Sequence, residues 1–327
     1  MKRSIDRRWL FLLYLFLAGV FLFIYYYLGG ELTWSALFGL IKAIGAGCVF
    51  VVIIWLLAKV LPMRKSLAKK WMFLVGLSSV VLMLSGYSYL SYRQHQTNPE
   101  DTTMPTWSQL KAGTIAMVTP DRKGERWLDI DVKATYSRLA QGMFLGILGA
   151  IVLGILMGCF SLVEAFFIPP LSLLAKVPPT AALAVFFVMV GTDKEMYVAM
   201  IAFGVLPTLA QAVYLGVKEI PEELVNKAWT LGASPMEMIG EVIIPYVMPK
   251  MIDAIRLQIG PAMVYLIAAE MVVGHEGFGY RIRLQSKLLN MSTVYPYLAI
   301  LASSGYLLDY TLRFIQRKLF PWYNTGK

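Results

Sequence analysis

Nothing constrains this chain more than its repeated, almost wholly apolar runs of about twenty residues, the length a helix needs to cross a bilayer's hydrocarbon. Within hydrocarbon a backbone must satisfy its own hydrogen bonds, so a spanning segment is a helix or part of a closed barrel. Long runs without strand-like alternation read as helices. Eight runs are read this way: 9–28, 36–61, 71–90, 137–159, 166–190, 196–217, 251–273 and 294–316. The expected fold class is therefore all-α, a polytopic membrane protein of about eight transmembrane helices. A chain that is 58% hydrophobic and 15% charged agrees with that class. The net charge of +10 would point to nucleic acid in a soluble protein. Here it follows the cytoplasmic bias of Lys and Arg in membrane proteins, and no nucleic-acid partner is expected.

The charges also set an orientation. Lys2, Arg3, Arg7 and Arg8 precede the first run, which is too long and too aromatic for a signal-peptide core and lacks a small-residue cleavage site. It reads as a retained anchor with its N-terminus inside. Lys59, Arg64, Lys65, Lys69 and Lys70 mark the end of the second run as cytoplasmic. The segment 91–135 is polar with balanced charge, as suits an external linker. Eight spans starting inside then put the loop at 219–249 and the C-terminus in the cytoplasm, near Arg313, Arg317, Lys318 and Lys327. The expected domains are three N-terminal helices in 1–90, the linker 91–135 and a transmembrane core in 136–327. Gly142, Gly146, Gly149, Gly154 and Gly158 give the fourth span a small-residue face for close helix packing. Pro169-Pro170 and Pro178-Pro179 interrupt the fifth, so its first part is open to an interfacial reading. Cys48 and Cys159 lie in apolar runs, and neither a disulfide nor a metal site is expected.

Between the sixth and seventh runs lies a polar helix-turn-helix, from Ile220 to Pro245. Pro221 suits the first turn of a helix, and Gly232 suits the left-handed residue that closes it. Ser234 and Glu237 form an S-x-x-E capping box, with Pro235 opening the next helix. Two short helices joined by a sharp turn make a rigid knuckle, and a membrane protein has little use for one in water unless something docks there.

That knuckle resembles the "EAA" coupling loop of binding-protein-dependent ABC importer permeases of type I. The family pattern of E-A-A, Gly and I-x-L-P is met by Asn226-Lys227-Ala228, Gly232 and Val242-x-Ile244-Pro245, with Asn226 and Lys227 replacing the first two residues. The likeness runs from about 128 to 323. Val177-Pro178-Pro179-Thr180-Ala181, Leu266-Ile267-Ala268-Ala269-Glu270-Met271 and Gly277-Phe278-Gly279-Tyr280 resemble the nitrate/sulfonate/taurine branch. The resemblance implies a permease subunit in the bacterial inner membrane, importing a small solute delivered by a periplasmic or lipid-anchored binding protein. Bicarbonate, a vitamin precursor or a small nitrogen compound are the alternative cargoes. It implies two partner ATPases and a second permease copy, a homodimer being the economical assumption. The residues it assigns to ATPase coupling are Glu223, Leu224, Ala228, Leu231, Gly232, Ala233, Ser234 and Pro245. It assigns Glu270, Gly277 and Gly279 to the pathway or gate.

No G-x-x-x-x-G-K-[S/T] loop occurs, so ATP and Mg are expected on the partner chain and no cofactor on this one. The two histidines, His95 and His275, do not form a metal or catalytic set, Asp309 has no matching second aspartate, and no enzyme is expected. An ATP-independent secondary transporter is the rival class, and such a protein needs no docking knuckle. Glu270 lies near the external end of its span. A charge in hydrocarbon costs several kcal/mol, so it either snorkels to the interface, pairs with a neighbouring helix, or serves a gate. Asp253 and Arg256, one turn apart near the inner end, read as an interfacial pair.

Overall fold

The computed structural model describes residues 69–324, apart from 100, 121–123, 125 and 192–193. The expected spans 9–28 and 36–61 lie outside the described residues. Contacts divide the chain into two units, Met1–Val81 and Leu82–Lys327. In the first, the described part is the start of helix α1 (Lys69–Thr97), whose Phe73, Leu77 and Val80 are exposed.

In the second unit the first turns are polar and tight. Ser91 donates to the Met104 carbonyl at 3.0 Å and Tyr87 to that of Pro105 at 2.6 Å, which folds the chain back along the end of α1. The Thr103 hydroxyl donates to both oxygens of Asp101, at 2.9 and 2.8 Å, and holds that carboxyl below its ordinary pKa. Thr106 then opens α2 (Trp107–Val118) through a reciprocal capping box with Gln109. Gly113 lets α2 approach so closely that a Cβ there would strike the Ser292 carbonyl. Met117, fully buried, completes a small core with Phe278, Ile282, Val294, Tyr297 and Leu301.

The main core is a helix pair. α3 (Trp127–Cys159) lies along α6 (Lys194–Lys218), and all five glycines read from the sequence face that contact. A Cβ at Gly142 would stand 2.6 Å from the Ile201 Cβ, one at Gly154 2.6 Å from the Val213 Cβ, and one at Gly158 2.5 Å from the Val217 Cβ. Without a hydrophobic drive between helices in lipid, this intimate backbone approach is what supplies the packing energy. α8 (Pro235–Val273) packs on α6, and α9 (Phe278–Lys287) and α10 (Met291–Leu319) follow it, with α11 (Pro321–Asn324) at the end.

Four helices among the described residues are long and apolar enough to cross a membrane: α1 from Phe73, α3, α6 and α8. The expected fifth span, 166–190, is instead two helices, α4 (Ser161–Leu174) and α5 (Leu183–Val190). Pro178 and Pro179 withhold two donors and push their predecessors out of helical geometry, so turns occupy 175–182. Eight residues of α5 rise only about 12 Å. The expected eighth span lies in one continuous helix, α10, where Ser292, Tyr295, Tyr297, Ser303, Ser304 and Tyr306 dilute the apolar content.

Candidate functional site

The knuckle forms as its local chemistry dictates. α7 (Glu222–Thr230) starts after Pro221, which caps it from one position earlier than expected, and its carbonyl accepts from Leu224 N–H at 3.0 Å. At the other end Gly232 takes φ +84°; its N–H donates to Trp229 O at 3.0 Å and that of Ala233 to Ala228 O at 3.1 Å. These two bonds are the 5→2 and 6→1 pair of a Schellman motif, and they satisfy carbonyls the helix leaves open. Glu237 N–H then donates to the Ser234 hydroxyl, while Ser234 N–H donates to the Glu237 carboxylate at 2.7 Å.

The two faces of the knuckle differ. Val225, Ala228, Ile239 and Val242 pack against the main core, and Met238 and Ile243 are buried. Outward stand Leu231 at 88% exposure, Met236 at 79%, Trp229 at 48% and Leu224 at 41%, on an element that also exposes Glu222, Glu223 and Lys227. Of the residues assigned to coupling, Glu223, Leu224, Leu231, Gly232, Ser234 and Pro245 are exposed, and Ala228 and Ala233 half-buried. Trp229 and Met236 were not singled out from the sequence, though two large apolar side chains on a polar element are a readable signal. Unexpected too is a π-helical turn, Met238–Ile243, that joins the knuckle to the rest of α8.

At the other end of α8, Glu270 neither snorkels nor meets solvent: it is fully buried. Its Oε1 accepts from Arg138 Nη1 at 2.9 Å, its Oε2 from Gly279 N–H at 2.9 Å, and both oxygens from the Thr135 hydroxyl. Arg138 also donates to the carbonyl of Glu276 at 3.0 Å and to its carboxylate at 3.1 Å, and lies over the Tyr197 ring. Asp131, also fully buried, accepts from Gly277 N–H at 3.0 Å, Arg281 Nε at 2.9 Å and the Tyr297 hydroxyl at 2.7 Å. Phe278 N–H donates to Thr135 at 2.9 Å. The two predicted glycines are explained by this carboxylate. Gly277 takes φ +107°, and a Cβ at Gly277 would overlap the Glu270 carboxylate, while one at Gly279 would stand 2.6 Å from the Glu270 Cβ. Asp131 lies in the segment expected to be a polar linker, and the sequence patterns above mark out neither Arg138 nor Thr135. Their spacing of four and three residues on one helix was the available signal.

Nearer the start of α8, the expected Asp253–Arg256 pair is present at 2.7 Å and belongs to a larger network. Arg256 Nε also donates to Asp309 at 2.8 Å, Arg313 pairs with Asp309 at 2.9 Å, and the Tyr323 hydroxyl donates to Asp253. Above these charges an open apolar groove of about 620 Å³ runs between α8 and α10, lined by Met263, Ile267, Met271, Leu301 and Gly305.

Comparison with known proteins adds to this geometry. A family model described as "Binding-protein-dependent transport system inner membrane component" matches residues 146–322. The taurine transport system permease protein TauC of Escherichia coli (strain K12) is 28% identical over 190 residues, 58% of this chain and 69% of that protein. The bicarbonate transport system permease protein CmpB of Synechocystis sp. is 28% identical over 219 residues, 66% of this chain and 78% of that protein. Among solved structures, a chain of the inward-facing MetNI methionine ABC transporter superposes with a TM-score of 0.52 at 20% identity. That match covers 61% of this chain and 98% of the other, a likeness of fold.

Proposed function

The chain belongs to the family of binding-protein-dependent transport system inner membrane components, and from that premise we propose that it is the membrane-spanning subunit of an ATP-driven importer for a small solute of the taurine, sulfonate, nitrate or bicarbonate kind. The observation that carries this reading is the knuckle: a doubly capped, rigid turn that holds Leu231 and Met236 out in water. Exposed apolar side chains on an otherwise polar element mark a docking surface, and the partner is a separate ATPase that binds ATP and Mg. Two ATPases, a second permease copy and a solute-binding protein complete the assembly. A secondary transporter would have no use for such a surface. Glu270, Gly277 and Gly279 serve the outer mouth by fixing the loop that closes it, rather than by meeting the solute, since Glu270 has no solvent exposure.

Leu231→Asp places a charge where the patch must be desolvated. It should cut co-purification of the ATPase and ATP-dependent uptake by about tenfold or more, the effect of losing one well-buried interface anchor, with membrane insertion unchanged. Native ATPase capture by this variant overturns the docking assignment.

The proposed topology has eight spans across the inner membrane, the fifth made of α4 and α5 together, with both termini cytoplasmic. A cysteine placed at Thr102 should react with an impermeant thiol reagent added outside, and one placed at Lys318 should not. Reaction at Lys318 contradicts the orientation.

A further inference from the structure

The buried charges near Glu270 do something a simple ion pair does not: they cap a helix. The first N–H groups of a helix have no partner within it and are commonly satisfied by a side chain just before it. At α9 the donors Gly277, Phe278 and Gly279 go instead to Asp131, Thr135 and Glu270, from two other helices. Asp131, Thr135 and Arg138 follow one face of α3 at helical spacing. All three precede residue 146, where the family match starts. Each buried carboxylate of the cluster has its own arginine. Arg138 sits at 2.9 Å from Glu270 and Arg281 at 2.9 Å from Asp131, both carboxylates being wholly buried. Among the described residues, the other ionic groups, around Glu164, Glu219 and Asp309, are part-exposed and grip no helix end.

We propose that Asp131, Thr135 and Arg138 are positioning residues for transport, fusing the outer ends of α3, α8 and α9 into one rigid joint. Motion imposed on the knuckle is then taken up at the inner end of α8, and the outer loop moves only together with α3. The proposal rests on the import reading given above.

Arg138→Gln leaves Glu270 as an unpaired buried charge and should deplete the assembled complex, an effect that folding alone would explain. The informative variant removes both charges. Replacing a buried ion pair with apolar residues of similar size is often neutral or stabilising for folding, so Arg138→Met with Glu270→Met should assemble with its ATPase at native yield. A methionine sulfur is only a weak acceptor and does not replace the carboxylate that Gly279 N–H donates to. The Gly279 amide should exchange about tenfold faster, and solute moved per ATP should fall about fivefold or more. A native solute-to-ATP ratio, continued protection of Gly279, or failure of the double variant to assemble each overturns the positioning role. Failure of the import reading looks different: the unaltered complex would show no ATP-dependent uptake while Gly279 remained protected.

Discussion

Gly232→Val is expected to separate ATP hydrolysis from solute movement while the chain still inserts and folds. Space is not the obstacle, because nothing lies within 4 Å of a Cβ built at this position. The obstacle is the backbone. At φ +84° an L-residue with a Cβ is strained by about 1–2 kcal/mol, and a β-branched one fits this region worst. Relief comes by giving up the bonds from Gly232 and Ala233 to the end of α7. Once those are gone, the capped start of α8 no longer holds Met236 in a fixed relation to Leu231 and Trp229. About 1.4 kcal/mol lost at a docking surface is tenfold in affinity, and uptake should fall by at least about that factor. Gly232→Asn, which tolerates the left-handed region, should retain most activity. Uptake at the native rate by the Val variant would remove the coupling role from this turn.

Gly154→Leu should have the larger effect on the fold. The Cβ it introduces would lie 2.6 Å from the Val213 Cβ and 2.7 Å from the Ala210 carbonyl oxygen, and the second of these is backbone that cannot rotate away. The remaining three carbons would have to enter the same contact. Overpacking a fitted site costs about 1–3 kcal/mol for modest insertions and more for large ones, so little folded chain should be recovered. A graded series makes the test specific. Gly154→Ala should lower the midpoint of thermal unfolding in detergent. Gly149→Ala, which meets chiefly the flexible end of Leu206, should lower it less. Gly86→Leu, on the exposed side of α1 with nothing within 4 Å, should change stability by less than about 0.5 kcal/mol. Equal behaviour of Gly154→Leu and Gly86→Leu would show that the α3–α6 contact is not what the glycines serve.

These two positions were legible in the sequence for different reasons. Gly232, Ser234 and Glu237 act on neighbours within a few residues, and local chemistry of that kind is written in local order. The glycines of α3 announce a close partner by period alone, although nothing in the period says that the partner is α6. The buried cluster around Glu270 was not legible in the same way. Arg138 and Glu270 are 132 positions apart, and neither side chain says where its counterion lies until α3 and α8 are packed. Asp131 looked like one charge among many in a polar stretch for that reason. The prolines of 166–190 mark an interruption, but not which pair makes it: Pro169 and Pro170 lie inside α4, and the break falls at Pro178 and Pro179. The family model matches from residue 146 onward, past Asp131, Thr135 and Arg138.

The π-helical turn at Met238–Ile243 fixes an angle. A turn of that kind closes its hydrogen bond over one residue more than an α-turn, and each residue of a helix advances the azimuth by about 100°. The compass bearing of Leu231 and Met236 around the axis of α8 is thus decided by a residue count between Pro235 and Pro245, and not by any contact within the patch itself. Lengthening or shortening that stretch by one residue would leave the knuckle intact as an object and aim it at a different quarter of the surroundings.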